Sequence, residues 1–123
     1  MPCALAPATS DGLTRALETA VYLEMRRRAS SRVGSIALLK LKSGKEIDFI
    51  EGDEAFGIAY ELIQVSLSMK NEATRQREVS ALQEAMSRFE KDAATIVTLG
   101  EESNINVPEG VIHVMPAWKW LMG

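Results

Sequence analysis

Leu13, Leu17, Val21 and Met25 recur at every fourth position with Ala16 and Ala20 beside them, the spacing of one apolar helix face. Ser10 can cap the start of this helix and Asp11 suits its first turn, while Arg26-Arg27-Arg28 complements the negative end of the helix dipole. Ser30 to Gly34 reads as a turn. Two strands then flank Ser43-Gly44-Lys45: Ser35 to Lys42, rich in Ile and Leu, and Glu46 to Ile50, a pattern that predicts a β-hairpin. Gly52 to Gly57, with its acids and two glycines, reads as a loop, and Ile58 to Leu67 is long enough for a core strand. Thr74 to Lys91 carries the clearest helical pattern: Val79, Leu82, Met86 and Phe89 form one stripe, with Arg75, Gln76, Gln83, Glu84, Arg88 and Glu90 away from it. Ala94 to Leu99 and Val111 to Met115 read as two short strands separated by the polar, turn-rich Gly100 to Gly110. Pro116 to Met122 closes the chain, and its Trp118 and Trp120 are expected to pack on the core, with base stacking as the lesser alternative.

The predicted order is α-β-β-β-α-β-β, without an internal repeat. It predicts an α/β domain built on a mixed central sheet of about five strands flanked by helices, over residues 10–123, behind a loose Ala/Pro-rich lead-in at 1–9. A chain of 123 residues is long enough to bury one core and too short for two.

Composition acts mainly by exclusion. With 46% hydrophobic residues, 25% charged residues and a net charge of -3, the chain has the make-up of a folded domain rather than a disordered one. Its longest apolar runs, such as Ile36 to Leu39, are far too short to span a membrane. Single Cys3 and single His113 exclude a disulfide framework and a Cys/His zinc site. The N-terminus lacks the basic and long apolar regions of a signal peptide, so a cytoplasmic location is expected. Charge is sorted locally: Arg15 to Lys45 holds eight basic and two acidic residues, and Glu46 to Glu61 six acidic and no basic ones. This reads either as a solvated helix end followed by acidic loops, or as a basic rim beside carboxylates, suited to a polyanion and a divalent cation.

Alternation along a strand puts Glu46, Asp48 and Ile50 on one face of the second strand and Ile47 and Phe49 on the other. In the third strand Gln64 and Ser66 share a face, opposite Ile63, Val65 and Leu67. Glu18 lies at the margin of the first helix's apolar stripe, where a carboxylate needs a reason to be. Each acid or amide has two readings. Asp48 is a strand-end carboxylate paired with Lys45 or Arg32, or a metal ligand; Gln64 is a buried hydrogen-bonding residue, or a ligand; Glu18 pairs with Arg77 or Arg15, or belongs to a site. Arg75 and Arg77 near the start of the second long helix oppose its dipole, which points to anionic partners nearby.

A helical Glu, an Asp on a strand after a hairpin, and Gln-Val-Ser on the next strand together resemble the PD-(D/E)XK nuclease core, in which an Asp is followed on the adjacent strand by Glu or Gln, any residue, and Lys. The resemblance implies a restriction-endonuclease-like fold, with Asp48 and Gln64 at metal-ligand positions, Glu18 at the first-helix acid, and Mg2+ as the cofactor of an active member. Ser66 stands where the lysine belongs, so catalysis would need Lys40, Lys42 or Lys45 to reach over.

A closer likeness runs through five ordered segments: residues 17–28, residues 42–49, Leu62-Ile-Gln-Val-Ser, residues 72–82 and Met115-Pro-Ala-Trp-Lys-Trp-Leu. Together they resemble the C-terminal domain of a family of prokaryotic AAA-type ATPases, across roughly residues 13–122. No G-x-x-x-x-G-K-[ST] occurs, and Ser43-Gly44-Lys45-Glu46 is better read as the hairpin turn, so the ATPase module is absent from this chain and would act in cis or in trans. The resemblance implies a catalytically degenerate nuclease-like domain that serves in nucleic-acid or partner interaction, with Arg26, Arg27, Arg28, Lys42 and Lys45 as the nucleic-acid-binding candidates. The alternatives are an active Mg2+-dependent DNA endonuclease, and a structural domain that self-associates through Trp118 and Trp120.

Overall fold

The computed structural model describes residues 10–29, 35–53 and 58–123. The expected lead-in at 1–9 with Cys3, the turn at 30–34 with Arg32, and residues 54–57 of the expected loop lie outside the described residues. Helix α1 is Ser10–Ala29; strands β1 (Ser35–Lys40), β2 (Glu46–Asp53) and β3 (Ile58–Val65) follow; then come α2 (Glu72–Phe89), β4 (Ala93–Thr98), β5 (Ser103–Val107), β6 (Gly110–Pro116) and α3 (Ala117–Met122).

The strands form one mixed sheet in the order β1-β2-β3-β4-β6-β5. β1, β2 and β3 run as an antiparallel meander, and β3, β4 and β6 are mutually parallel neighbours. Joining parallel strands requires a crossover, and α2 supplies it between β3 and β4. Asn71 caps α2, its side chain accepting from the Thr74 amide at 3.0 Å. The first hairpin turns where expected: Gly44 adopts φ +93, and the Gly44 and Leu41 amides close the turn on Leu41 O and Lys45 O.

The sheet is covered on both faces. Leu82, Ala85 and Met86 of α2 pack on Ile47, Leu62, Ile96, Ile112 and Val114. On the opposite face Leu17, Val21 and Met25 of α1 pack with Ile63, Val65, Val97 and Trp120 of α3. Of the expected stripes, Leu17, Val21 and Met25 are buried while Leu13 is 41% exposed, and Leu82 and Met86 are buried with Val79 and Phe89 partly so. Among the described residues no helix is long and apolar enough to cross a membrane.

Three expectations need correction. The sheet has six strands and not about five, because Gly100 to Gly110 contains β5. β5 is an edge strand paired with β6 alone, and only Ile105 and Val107 turn toward the core, so its sequence reads as polar. Strict alternation also fails in β2. Two residues, Asp48 and Phe49, stand opposite the single Leu38 of β1, and this bulge leaves Ile47 on the α2 face and Phe49 on the α1 face. Finally, the tryptophans part company: Trp120 is 5% exposed and belongs to the core, whereas Trp118 is 62% exposed on the outside of α3. Gly110 is obligatory. It has φ +152, and a Cβ there would lie 2.0 Å from Asp92 O, whose carbonyl accepts the Val111 amide.

Trp120→Ala should cost about 3–5 kcal/mol in urea denaturation, the usual penalty for emptying a core aromatic site. Trp118→Ala should stay within about 0.5 kcal/mol of the parent, as surface changes do; equal losses at the two positions would contradict this packing.

Candidate functional site

The antiparallel pairing of β2 with β3 stops at Phe49 opposite Ile63, and toward the hairpin end the two strands are linked by side chains instead. The Asp48 amide donates to Gln64 Oε1 at 2.8 Å, and Gln64 Nε2 donates to Glu46 O at 3.1 Å. In return Asp48 Oδ2 accepts the Val65 amide at 2.8 Å. The carboxamide of Gln64 and the carboxylate of Asp48 thus satisfy backbone groups that the ladder no longer reaches. Gln64 is 3% exposed, so without this exchange its amide would be buried unsatisfied.

Beside this clasp lies a pocket of about 500 Å3, lined among others by Lys45, Glu46, Asp48, Gln64, Arg77 and Glu78. The hairpin that carries Lys45 is held toward α2 by Ser43, whose Oγ donates to Glu84 Oε1 at 2.6 Å. Glu78 enters from α2 with its side chain only 12% exposed. Its Oε2 is buried without a hydrogen-bond partner. Burial, and then the charge of Asp48, push the Glu78 carboxyl up to about 7, against the opposing pull of Arg77. Arg77 Nε stands 3.6 Å from Glu78 Oε1, on a side chain 66% exposed. Asp48 is also raised, by burial foremost and by the charges of Glu18 and Glu46, while its bond from the Val65 amide and the charge of Arg77 work the other way.

The structure therefore brings Asp48 and Gln64 together and leaves other candidates outside. Ser66 does not line the pocket; its Oγ donates to Ser68 O at 2.8 Å and its amide to Val97 O, which shapes the loop leaving β3. Glu18 acts on Asp48 only through its charge and does not line the pocket either. Arg77, one expected partner of Glu18, stands against Glu78 instead. Arg32, one expected partner of Asp48, lies outside the described residues.

The basic candidates divide. Arg27 Nε and Arg28 Nε donate to Glu24 at 3.0 and 2.7 Å, and these two bonds hold the Glu24 carboxyl down at about 2. Arg28 also donates to Trp120 O and lies 4.2 Å over the Trp120 ring, tying α1 to α3. Arg26 donates to the Tyr22 hydroxyl at 3.2 Å. Lys45 lines the Asp48 pocket, and Lys42 lines a separate hollow with Glu84, Arg88 and Glu109.

Mg2+ requires octahedral oxygen coordination. Gln64 Oε1 already accepts a backbone amide, as does Asp48 Oδ2, and Glu78 Oε2 is sealed from solvent. Among the described residues no three His, Cys, Asp or Glu side chains gather as a group able to hold a metal ion. The residues present do not fit the ion that the nuclease resemblance implies. Glu78 is the site residue that the sequence reading passes over. The available signal was its place four residues before the fully buried Leu82, on the inward side of α2. Compared with protein-family models, with curated proteins and with solved structures, the chain has no match.

Asp48→Ala and Gln64→Ala should each lower stability by about 1–3 kcal/mol, the cost of stranding buried backbone partners, and the double variant should lose less than the sum of the two. Full additivity in urea denaturation would contradict a shared clasp. A pH effect follows from Glu78, whose carboxyl rises in the folded chain from 4.5 to about 7. The folded state holds this proton more tightly than the unfolded one, so the contribution is complete below pH 4.5 and is lost as pH rises through about 7. Glu78→Gln should remove up to about 3 kcal/mol of that decline and be more stable than the parent at pH 8; an unchanged pH profile would contradict the assignment.

Proposed function

We propose that this chain is a nuclease-like α/β domain in which the positions of a metal-dependent catalytic centre have become a structural clasp, and that it works as an interaction module for a protein partner. The observation that carries this reading is the commitment of Asp48 and Gln64 to backbone groups of the opposite strand. A helix, an antiparallel three-strand meander and a helical crossover to a parallel strand support a restriction-endonuclease-like core. Ser66, in the place of the motif lysine, is turned to Ser68 O and offers no charge.

A protein partner is favoured over DNA because two of the three consecutive arginines are already paired with Glu24, Arg27 at the surface and Arg28 partly buried. The exposed Trp118 and Met122 on α3 supply apolar contact area of the kind that protein interfaces use. On the five-segment resemblance, the partner is an AAA-type ATPase module acting in cis or in trans. The active endonuclease stands as the second reading, because Lys45 lines the same pocket as Asp48.

A plasmid-nicking assay with Mg2+ or Mn2+ separates the two. The parent and Asp48→Ala should both leave supercoiled DNA intact; metal-dependent nicking by the parent that disappears in Asp48→Ala would overturn the non-catalytic reading.

A further inference from the structure

The sheet order β1-β2-β3-β4-β6-β5 leaves two edges, β1 and β5. An edge strand presents unpaired N–H and C=O groups, and proteins blunt it with a charge, a proline or a bulge. β1 is blunted: its pairing with β2 is interrupted at Leu38, and it ends in Lys40. β5 has none of these devices. Its register with β6 runs unbroken from Ser103 to Val107, and Ser-Asn-Ile-Asn-Val holds neither a charge nor a proline. The acids that flank it are engaged within the chain: Glu101 accepts the Met69 amide at 3.0 Å, Glu102 accepts from Lys119, and Glu109 accepts from Gln83 at 3.1 Å. Among the described residues β5 pairs with β6 alone.

The direction of the backbone groups on this edge follows from β6. Its Val111 amide donates to Asp92 O on the β4 side. Successive residues of a strand bond to alternate neighbours, so Ile112 bonds Ile105 of β5. Asn104 and Asn106, opposite His113 and Val111, therefore turn their N–H and C=O off the edge of the sheet. Ile105 and Val107 pack toward the core under α2, and the exposed asparagine side chains take the opposite face.

We propose that β5 pairs antiparallel with β5 of a second copy of this chain, joining two sheets edge to edge. The occupant is a copy because Asn104-Ile105-Asn106 reads the same in both directions. A two-fold axis at Ile105 sets Asn104 against Asn106 of the second copy, and Ile105 against its own counterpart. The outward backbone groups of Asn104 and Asn106 then exchange hydrogen bonds with those of the opposite strand. The facing asparagine side chains pair amide to amide, and the apolar row of Ile105 and Val107 continues across the junction. Pro108, which has no N–H, ends the pairing. A contact of this symmetry closes on itself, so assembly stops at two chains. The edge lies across the sheet from the Asp48 clasp, so self-pairing goes beyond the proposed partner role and is independent of the nicking assay.

Sedimentation velocity from about 10 µM to about 1 mM chain reads this contact, which is weak because so short a strand buries less than the roughly 1,200 Å2 of a stable interface. The weight-average mass of the parent should rise with concentration from one chain toward two. Asn106→Pro removes an outward amide and no bond to β6, and should keep the chain monomeric with the parent's circular dichroism. Asn104→Lys/Asn106→Lys and Asn104→Glu/Asn106→Glu each set like charges opposite one another and should weaken the dimer at least about tenfold. An equimolar mixture of these two variants should dimerise again, which a folding defect in either would not allow. A parent that stays monomeric, or a dimer that survives the lysine pair, would overturn the proposal. So would assembly beyond two chains, or a dimer lost in Trp118→Ala.

Discussion

Where β2 leaves β3, backbone donors and acceptors lose their ladder partners inside the fold, and burial makes their satisfaction obligatory. Gln64 and Asp48 meet that demand with a reciprocal exchange: an amide bridges Glu46 O and the Asp48 N–H, and a carboxylate takes the Val65 N–H. The bulge at Asp48–Phe49 is part of the same arrangement, because it turns Phe49 toward α1 and lets Ile47 fill the α2 face. Remove the exchange and the junction between the β1–β2 hairpin and the parallel half of the sheet is left with unsatisfied groups. The pocket depends on this junction, since its walls are the hairpin, the parting strands and α2.

The second constraint is charge. The carboxylates gathered by the hairpin and α2 are balanced from within the chain, by Arg77 and by the high proton affinity of Glu78. At the end of α1, Arg28 is likewise used within the fold, joining Glu24 and α3, while Arg27 pairs with Glu24 at the surface. The proposed role as an interaction module follows from this internal use of groups that an enzyme would direct at substrate.

Much of the architecture was legible because burial writes a period into the chain. Leu17, Val21 and Met25, and then Leu82 and Met86, name the inward faces of α1 and α2, and Gly44 marks the first hairpin. β5 was not legible, since an edge strand with solvent on one side needs few apolar residues and Ser103–Val107 has only two. The β2 bulge was hidden for a related reason: alternation is a property of a regular ladder, and nothing local to Ile47-Asp48-Phe49 announces the extra residue. At the site, the meeting of Asp48 and Gln64 was readable from strand alternation, but their use was not. Whether an amide faces a metal or a neighbouring backbone depends on where a ladder ends, which is a tertiary fact. Ser66 shows the same limit, because it lies just past the end of β3 and its hydroxyl turns to the loop.

The most direct test of the clasp is amide hydrogen exchange at Asp48 and Val65, read residue by residue. Both amides should be protected in the parent to the degree of neighbouring β2 and β3 amides, and in Gln64→Ala the Asp48 amide should lose that protection while Ile63 keeps its own. An Asp48 amide that exchanges in the parent as fast as in an unstructured peptide would contradict the account.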